Sequence, residues 1–325
     1  MIIIDILKFA WGVIKDIKGW RDKELKEKQR NSLAENSPLI VAKNFVRLFK
    51  SHGVKRTQIH LFYEGDLGLS DLLTDESLLK VLTDRHLSAA ADLFAINLQW
   101  LYGDDVSIYQ THCFYKAPAN FQEFMNTLSL GDYNSRIQIL KSDAGEIDTL
   151  LVISEAIILT EAQSKVLGDK SLYRHHISDE WIFNYWKCRA YLTSCIAIAS
   201  RNKLQVFGET VPAKLISDFE KGKSFLPFNT ECGTIKRYGM GWHPEDLIYK
   251  PDFYTDGVDE GHFGKIESLA LWLELCEKGY MDTGYKVPTD EFEKAFEQAK
   301  YEANLTRFQN VVFSVKQKLL PLLNR

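Results

Sequence analysis

The sequence predicts a multi-domain α+β protein: an N-terminal amphipathic helix, a small all-α bundle, a mixed α+β sheet domain and a helical C-terminal region. Three observations lead there. The 325 residues exceed what one ordinary core organises. Helix-period apolar patterning dominates up to about residue 105, whereas runs of β-branched and aromatic residues begin at Val106. A glycine- and proline-rich stretch, Phe225 to Gly264, then separates the strand-rich segment from two terminal helices. The expected boundaries are 1–36, 37–105, 106–224 and 225–325.

The apolar share of 45% and charged share of 26% are those of a chain that folds over most of its length. A formal net charge of −4 excludes a protein that coats nucleic acid, which needs a broad cationic footprint, and leaves room only for local contact. Cys113, Cys188, Cys195, Cys232 and Cys276 are odd in number, scattered and free of any Cys-Xaa-Xaa-Cys spacing. That pattern suits a reducing cytoplasm, not a disulfide frame or zinc knuckle.

In the first stretch, Ile3, Leu7, Ala10, Ile14 and Ile17 recur at helical spacing beside a stripe of Ile2, Ile6, Phe9 and Val13. Asp5, Lys8 and Lys15 interrupt it well short of the ~20 apolar residues of a spanning helix, and no secretory signal is expected. Its face must be buried in the protein's own core, in a second copy through residues 2–20, or at a membrane surface. Asp5 and Asp16 offset the lysines and disfavour the membrane.

Within 37–105, Phe45, Leu48 and Phe49 mark one helix ending near Gly53, Thr57 opens a second, and Ser70 caps another through "SDLLTDESLLKVL". "LSAAADLFAINLQWLYGDD", Leu87 to Asp105, closes the unit. Residues 44–103, through "AAADLFAINLQWLYG", resemble a helix-turn-helix domain of the Cro and phage-repressor family. That resemblance implies a closing helix over this stretch and contact with duplex DNA. The segment placed to supply the recognition helix carries Asp71, Asp75, Glu76 and Asp84 against Lys80, which phosphate would repel. DNA contact therefore falls to Lys43, Arg47, Lys50, Lys55, Arg56 and Gln58; a helical protein-interaction module is the competing reading.

From Val106, "VSIYQTHCFY", "SRIQILK" and "TLLVISEAIIL" read as strands, with a helix after Ala117-Pro118 between the first two. A long helix is expected from a capping Ser178 to about Asn202, followed by a strand "LQVFGE" and a short helix ended by Gly222. "KIESLALWLELCEKG" and a helix entered at Pro288-Thr289, with Phe292, Phe296, Ala299 and Ala303 on one face, finish the chain.

Tyr173, His175, His176, Trp181 and Tyr185, with Trp242 and His243, are the candidate ligand-binding residues, since aromatics beside histidines line small-molecule pockets. Asp256, Glu260 and Glu267 fall at oxygen-ligand positions of an EF-hand-like calcium loop, but Val258 stands where a ligand is required. No phosphate-binding loop, dinucleotide fingerprint or nucleophile elbow occurs, and no cofactor is implied. The expected function is a non-enzymatic regulatory protein in the cytoplasm, binding duplex DNA and sensing a small ligand or partner. Its rivals are an assembly protein using the first helix and an enzyme whose site lies between His175/His176 and the Trp242–His262 loop.

Overall fold

The structure, a computed structural model, describes residues 37–128, 135–143, 148–168, 171–222, 224–226, 228–229, 234–235, 240–258 and 264–323. The expected N-terminal association helix and residues 2–20 lie outside the described residues. The fold is α+β. Its contacts divide into two compact units, one of 1–92 with 97–106 and one of 93–96 with 107–325.

The first unit is helical. Helix α1, Leu39–Ser51, turns Ala42, Phe45, Leu48 and Phe49 inward, all fully buried. The segment expected to open at Thr57 is a 3-10 helix, Arg56–Phe62, whose Gln58 side chain accepts a hydrogen bond from the Lys55 amide at 2.8 Å. Helix α2 is Asp75–Val81 and starts at Thr74, not Ser70. Thr74 and Ser77 close a capping box: Thr74 Oγ1 accepts from the Ser77 amide at 3.1 Å and Ser77 Oγ from the Thr74 amide at 3.0 Å. Ser70 sits in a run of turns, so the acidic segment is helical only over its second half.

Helices α3, Asp84–Phe94, and α4, Leu98–Tyr102, replace the single closing helix. Ala95 breaks the run by adopting a left-handed backbone at φ 53°. Gly103 ends α4 at φ 94°, and a Cβ there would stand 2.8 Å from Ile40 Cγ2. The packing of the first helix against the end of the last thus requires glycine. Asn44 Nδ2 donates to the Trp100 carbonyl at 2.9 Å and fixes the same junction.

The second unit is built on a mixed sheet of order β1-β4-β3-β2-β5-β8. Its strands are β1 Thr111–His112, β2 Arg136–Ser142, β3 Asp148–Ile157, β4 Leu172–Ile182, β5 Gln205–Val211 and β8 Gly241–Trp242. Two further strands, β6 Phe228–Asn229 and β7 Thr234–Ile235, form a small hairpin. β2, β3 and β4 are an antiparallel meander; helix α7, Trp186–Arg201, then returns the chain to lay β5 parallel to β2.

The expected helix from Ser178 to Asn202 is corrected here: its first part is strand. β3 offers a long antiparallel partner in register, Val152 with Ile177, Ile153 with His176 and Ser154 with His175. Backbone pairing overrides the local helical period. Ser178 Oγ accepts from Trp181 Nε1 at 3.0 Å instead of capping a helix, and α7 begins only at Trp186. Helix α5, Pro118–Thr127, precedes β2; α6, Glu161–Leu167, links β3 to β4; and α8, Ala213–Glu220, follows β5.

One sheet face forms the main core. Ile137, Ile139, Leu151 and Ile153 are fully buried there with Phe121 of α5 and Leu192 and Ile196 of α7. Short helices α9, Asp246–Tyr249, and α10, Pro251–Thr255, occupy the region expected to be loop-rich. Helix α11, Gly264–Glu277, and α12, Thr289–Leu323, join the same core, where Trp272 stacks on Phe292 with centroids 3.6 Å apart. The core therefore runs through position 224, where a separate C-terminal region was expected to begin.

Candidate functional site

Alternation along β2 places Arg136 and Gln138 on the face opposite Ile137 and Ile139. Cross-strand register puts Arg136 beside Ser154 and Ser154 beside His175, so β2, β3 and β4 carry a polar row across the sheet. All are buried: Arg136 at 6% exposure, Gln138 at 5%, Ser154 at 0% and His175 at 2%. Ser154 Oγ and His175 Nδ1 share a hydrogen bond at 3.0 Å. Tyr109 covers His175 with its ring edge-on at 6.1 Å, and Phe225 packs on Tyr109 at 6.2 Å. Burial pushes the Tyr109 hydroxyl, which accepts from the Leu226 amide, above the usual phenol range.

Arg136 is the charge in this row. Its guanidinium lies 4.7 Å from the centre of the Tyr173 ring and donates through Nη2 to the Tyr173 hydroxyl. Among the described residues its Nε meets no acceptor and no carboxylate pairs with it. Gln138 Oε1, two residues along the same face, meets no donor among the described residues. A buried cation without a counter-charge costs several kcal/mol even after relaxation, roughly as much as a buried pair returns.

The opposite face carries a second polar cluster at the β4 edge. Glu155, 3% exposed, accepts from His176 Nε2 at 3.1 Å and lies 3.5 Å from Arg174 Nε. The His112 ring sits 5.8 Å from that of His176; burial, and secondly the neighbouring imidazole, hold its pKa below the ordinary histidine value. Farther along, Lys141 Nζ lies 4.7 Å from the Phe183 ring centre and 5.3 Å from that of Trp242. Arg189, 1% exposed, is bonded to the carbonyls of Phe183, Tyr254 and Asp256, and burial lowers its pKa to about 10. An open cleft of about 290 Å³ is lined by Lys116, Trp186, Lys187, Tyr191, Glu267 and Glu274, among others.

The expected ligand residues divide between these places. Tyr173 and His175 belong to the polar row, whereas His176 and Trp181 face the other way, Trp181 inside the main core. Tyr185 packs against that core, Trp242 packs on Phe183 and Phe253, and His243 is exposed. Of the calcium set, Asp256 offers its carbonyl to Arg189, Glu267 lines the open cleft and Glu260 lies outside the described residues. Among the described residues no three His, Cys, Asp or Glu side chains converge on a metal-sized point. His262 of the proposed enzyme site also lies outside the described residues.

In the first unit, Lys43, Arg47 and Lys50 are exposed on one face of α1 at spacings of four and three residues, and Lys55 is exposed beyond its end. Arg47 lies 5.7 Å from the Trp100 ring centre. Arg56 is engaged internally, donating to Asp75 Oδ1 at 2.7 Å and to the Leu72 carbonyl at 2.5 Å, and Gln58 is held by the Lys55 amide. Among the described residues no helix is long and apolar enough to cross a membrane.

Arg136, Gln138 and Glu155 are buried polar residues of the candidate site that the sequence alone did not single out. The signal was present in "SRIQILK", where polar and apolar residues alternate at strand period. No protein-family model, curated protein or solved structure matches the chain.

Proposed function

We propose that this is a ligand-responsive regulatory protein whose α+β unit takes up a small anionic molecule on the polar face of its sheet. The observation that carries the reading is Arg136, a buried guanidinium whose Nε meets no acceptor among the described residues. A ligand that pairs with the charge stabilises the folded unit by mass action.

The cationic stripe Lys43, Arg47 and Lys50 supports the helical unit as the part that meets the regulated target, duplex DNA, through its phosphates. Arg56 and Gln58 are left out of that contact, since both are bonded within the unit. Native mass spectrometry of the freshly purified full chain tests the ligand reading. The expected result is a bound small molecule that disappears from Arg136→Met; a wild-type mass equal to the bare chain, with no anion that restores a complex, overturns it. Charge reversal at Lys43, Arg47 and Lys50 tests the target contact: duplex affinity is expected to fall and its salt dependence to flatten, and an unchanged affinity removes DNA from the account.

A further inference from the structure

Helix α12 carries two apolar stripes on different sides. The first, Phe292, Phe296 and Ala299, packs into the main core, with Phe292 at 0% exposure and Ala299 at 6%. Tyr301 and Leu305 begin the second, each two residues on from a core-facing alanine, Ala299 or Ala303. At about 100° per residue that is about 200° round the helix, on the side turned away from the core. Both are exposed, Tyr301 at 64% and Leu305 at 45%. From there Phe308, Val312, Val315, Leu319 and Leu322 recur in the sequence at alternating steps of three and four residues, and the helix runs unbroken to Leu323. Carried on over the same length, the core stripe meets Thr306, Asn310 and Gln317. α12 has 35 residues, about 52 Å, against 14 residues, about 21 Å, in α11 beside it, so α11 accompanies less than half of its length.

We infer that the end of α12 pairs as a coiled coil with the same helix of a second copy of this chain. Strict alternation of three and four residues averages about 3.5, the narrow seam of a helix paired with another helix; a helix lying on a globular core carries a wider stripe. From Leu305 to Leu322 the seam holds Leu, Phe, Val, Val, Leu and Leu over three heptads, with no polar or charged residue in it. The flanking positions fit a copy. In a parallel pair those that meet across the seam are Asn304 with Gln309, Val311 with Lys316, and Lys318 with Leu323, so no like charges are brought together. One turn earlier, Glu297 and Glu302 are held within their own helix, by Lys300 at 2.9 Å and Gln298 at 2.8 Å. A partner of different sequence is ordinarily chosen by opposite charges along such flanks, and these six positions carry two lysines alone. The chain's own first stretch is the poorer fit, because its apolar residues form two adjoining stripes, Ile3 to Ile17 and Ile2 to Val13, wider than the seam.

The test is sedimentation equilibrium of the full chain, as wild type and with Val312→Glu and Leu319→Glu together. The wild type is expected to weigh as a dimer at micromolar concentration. The double variant should dissociate, its dimer affinity lower by on the order of a hundredfold or more, because each carboxylate would be taken out of water in the seam. Ser314→Glu with Gln317→Glu, both off the seam, should remain dimeric. Should the Val312→Glu and Leu319→Glu protein not fold, Val312→Cys serves. Val312 stands midway between Tyr301 and Leu323, so in a parallel or an antiparallel pair mild oxidation should cross-link the copies above the wild-type level, and Ser314→Cys should not. A monomeric wild type overturns the inference. So does a dimer that persists with both seam glutamates in place, which would move the contact elsewhere, to residues 2–20 or to another face.

Discussion

Two buried arginines in the same unit differ only in what their guanidinium groups meet, and the same substitution at each should act in opposite directions. Arg189 is bonded to three carbonyls, those of Phe183 at 2.8 Å, Tyr254 at 2.9 Å and Asp256. Arg189→Met keeps the length of the side chain but strands those acceptors in the core, each at a cost of about 1–3 kcal/mol. Removing the buried cation offsets part of that, and the net loss expected is about 3–5 kcal/mol, the range seen when a buried charged network is broken. At ~2–4 °C per kcal/mol for a unit of this size, its unfolding temperature should fall by on the order of 10 °C. Among the described residues Arg136 is bonded to a single phenol, so Arg136→Met in the ligand-free protein removes an uncompensated charge and should leave stability unchanged or raise it by about 1–4 kcal/mol. Urea unfolding followed by tryptophan fluorescence suits the comparison, because Trp181, Trp186, Trp242 and Trp272 all report on the sheet-containing unit. Equal destabilisation by the two substitutions would refute the reasoning that Arg136 lacks a structural counterpart.

Other outcomes follow from the packing. Gly208→Ala would set a Cβ 2.5 Å from Trp242 Cδ2 and Cε2; displacing that ring should cost about 1–3 kcal/mol and blue- or red-shift the tryptophan emission, and an unshifted spectrum with full stability would contradict the packing. His52 is buried neutral, with burial lowering its pKa from 6.5 to about 4 against a smaller opposing bond to the Leu48 carbonyl. Because its folded pKa lies below the unfolded one, its contribution is complete above pH 6.5 and is lost as pH falls towards 4, roughly 3 kcal/mol in total. Hydrogen exchange of α1 amides should show that loss, and His52→Gln should flatten it; identical acid profiles for the two proteins would count against it. Thr74→Ala removes the α2 cap and should cost about 1 kcal/mol in urea unfolding, whereas Ser70→Ala should cost nothing measurable.

Much of the sheet was legible because β2, β3 and β5 carry β-branched and aromatic residues at strand period. β4 was not, since "YRHHISDEWIFNYW" also places aromatics at helical spacing, and the choice is made by β3, whose pairing no local pattern contains. The site was half legible. Tyr173 and His175 were singled out for their chemistry, but their neighbours His176 and Trp181 go to the opposite face once the segment is a strand. Arg136 escaped notice because alternating polar residues in a strand ordinarily face water; here Tyr109 and Phe225 help to close that side of the sheet, from positions distant in sequence. Arg56 looked like part of a basic patch until its bond to Asp75, contributed by the acidic helix itself, came into view.

The most direct measurement of the central claim is the ¹⁵N side-chain spectrum of Arg136, with its Nε–H resonance assigned by its loss in Arg136→Met. In the ligand-free protein that proton should lack a hydrogen-bond shift; on addition of an anion that stabilises the protein it should move downfield and become protected from exchange. An Nε–H already hydrogen-bonded in the ligand-free chain, or one indifferent to every compound that stabilises the protein, would contradict the account.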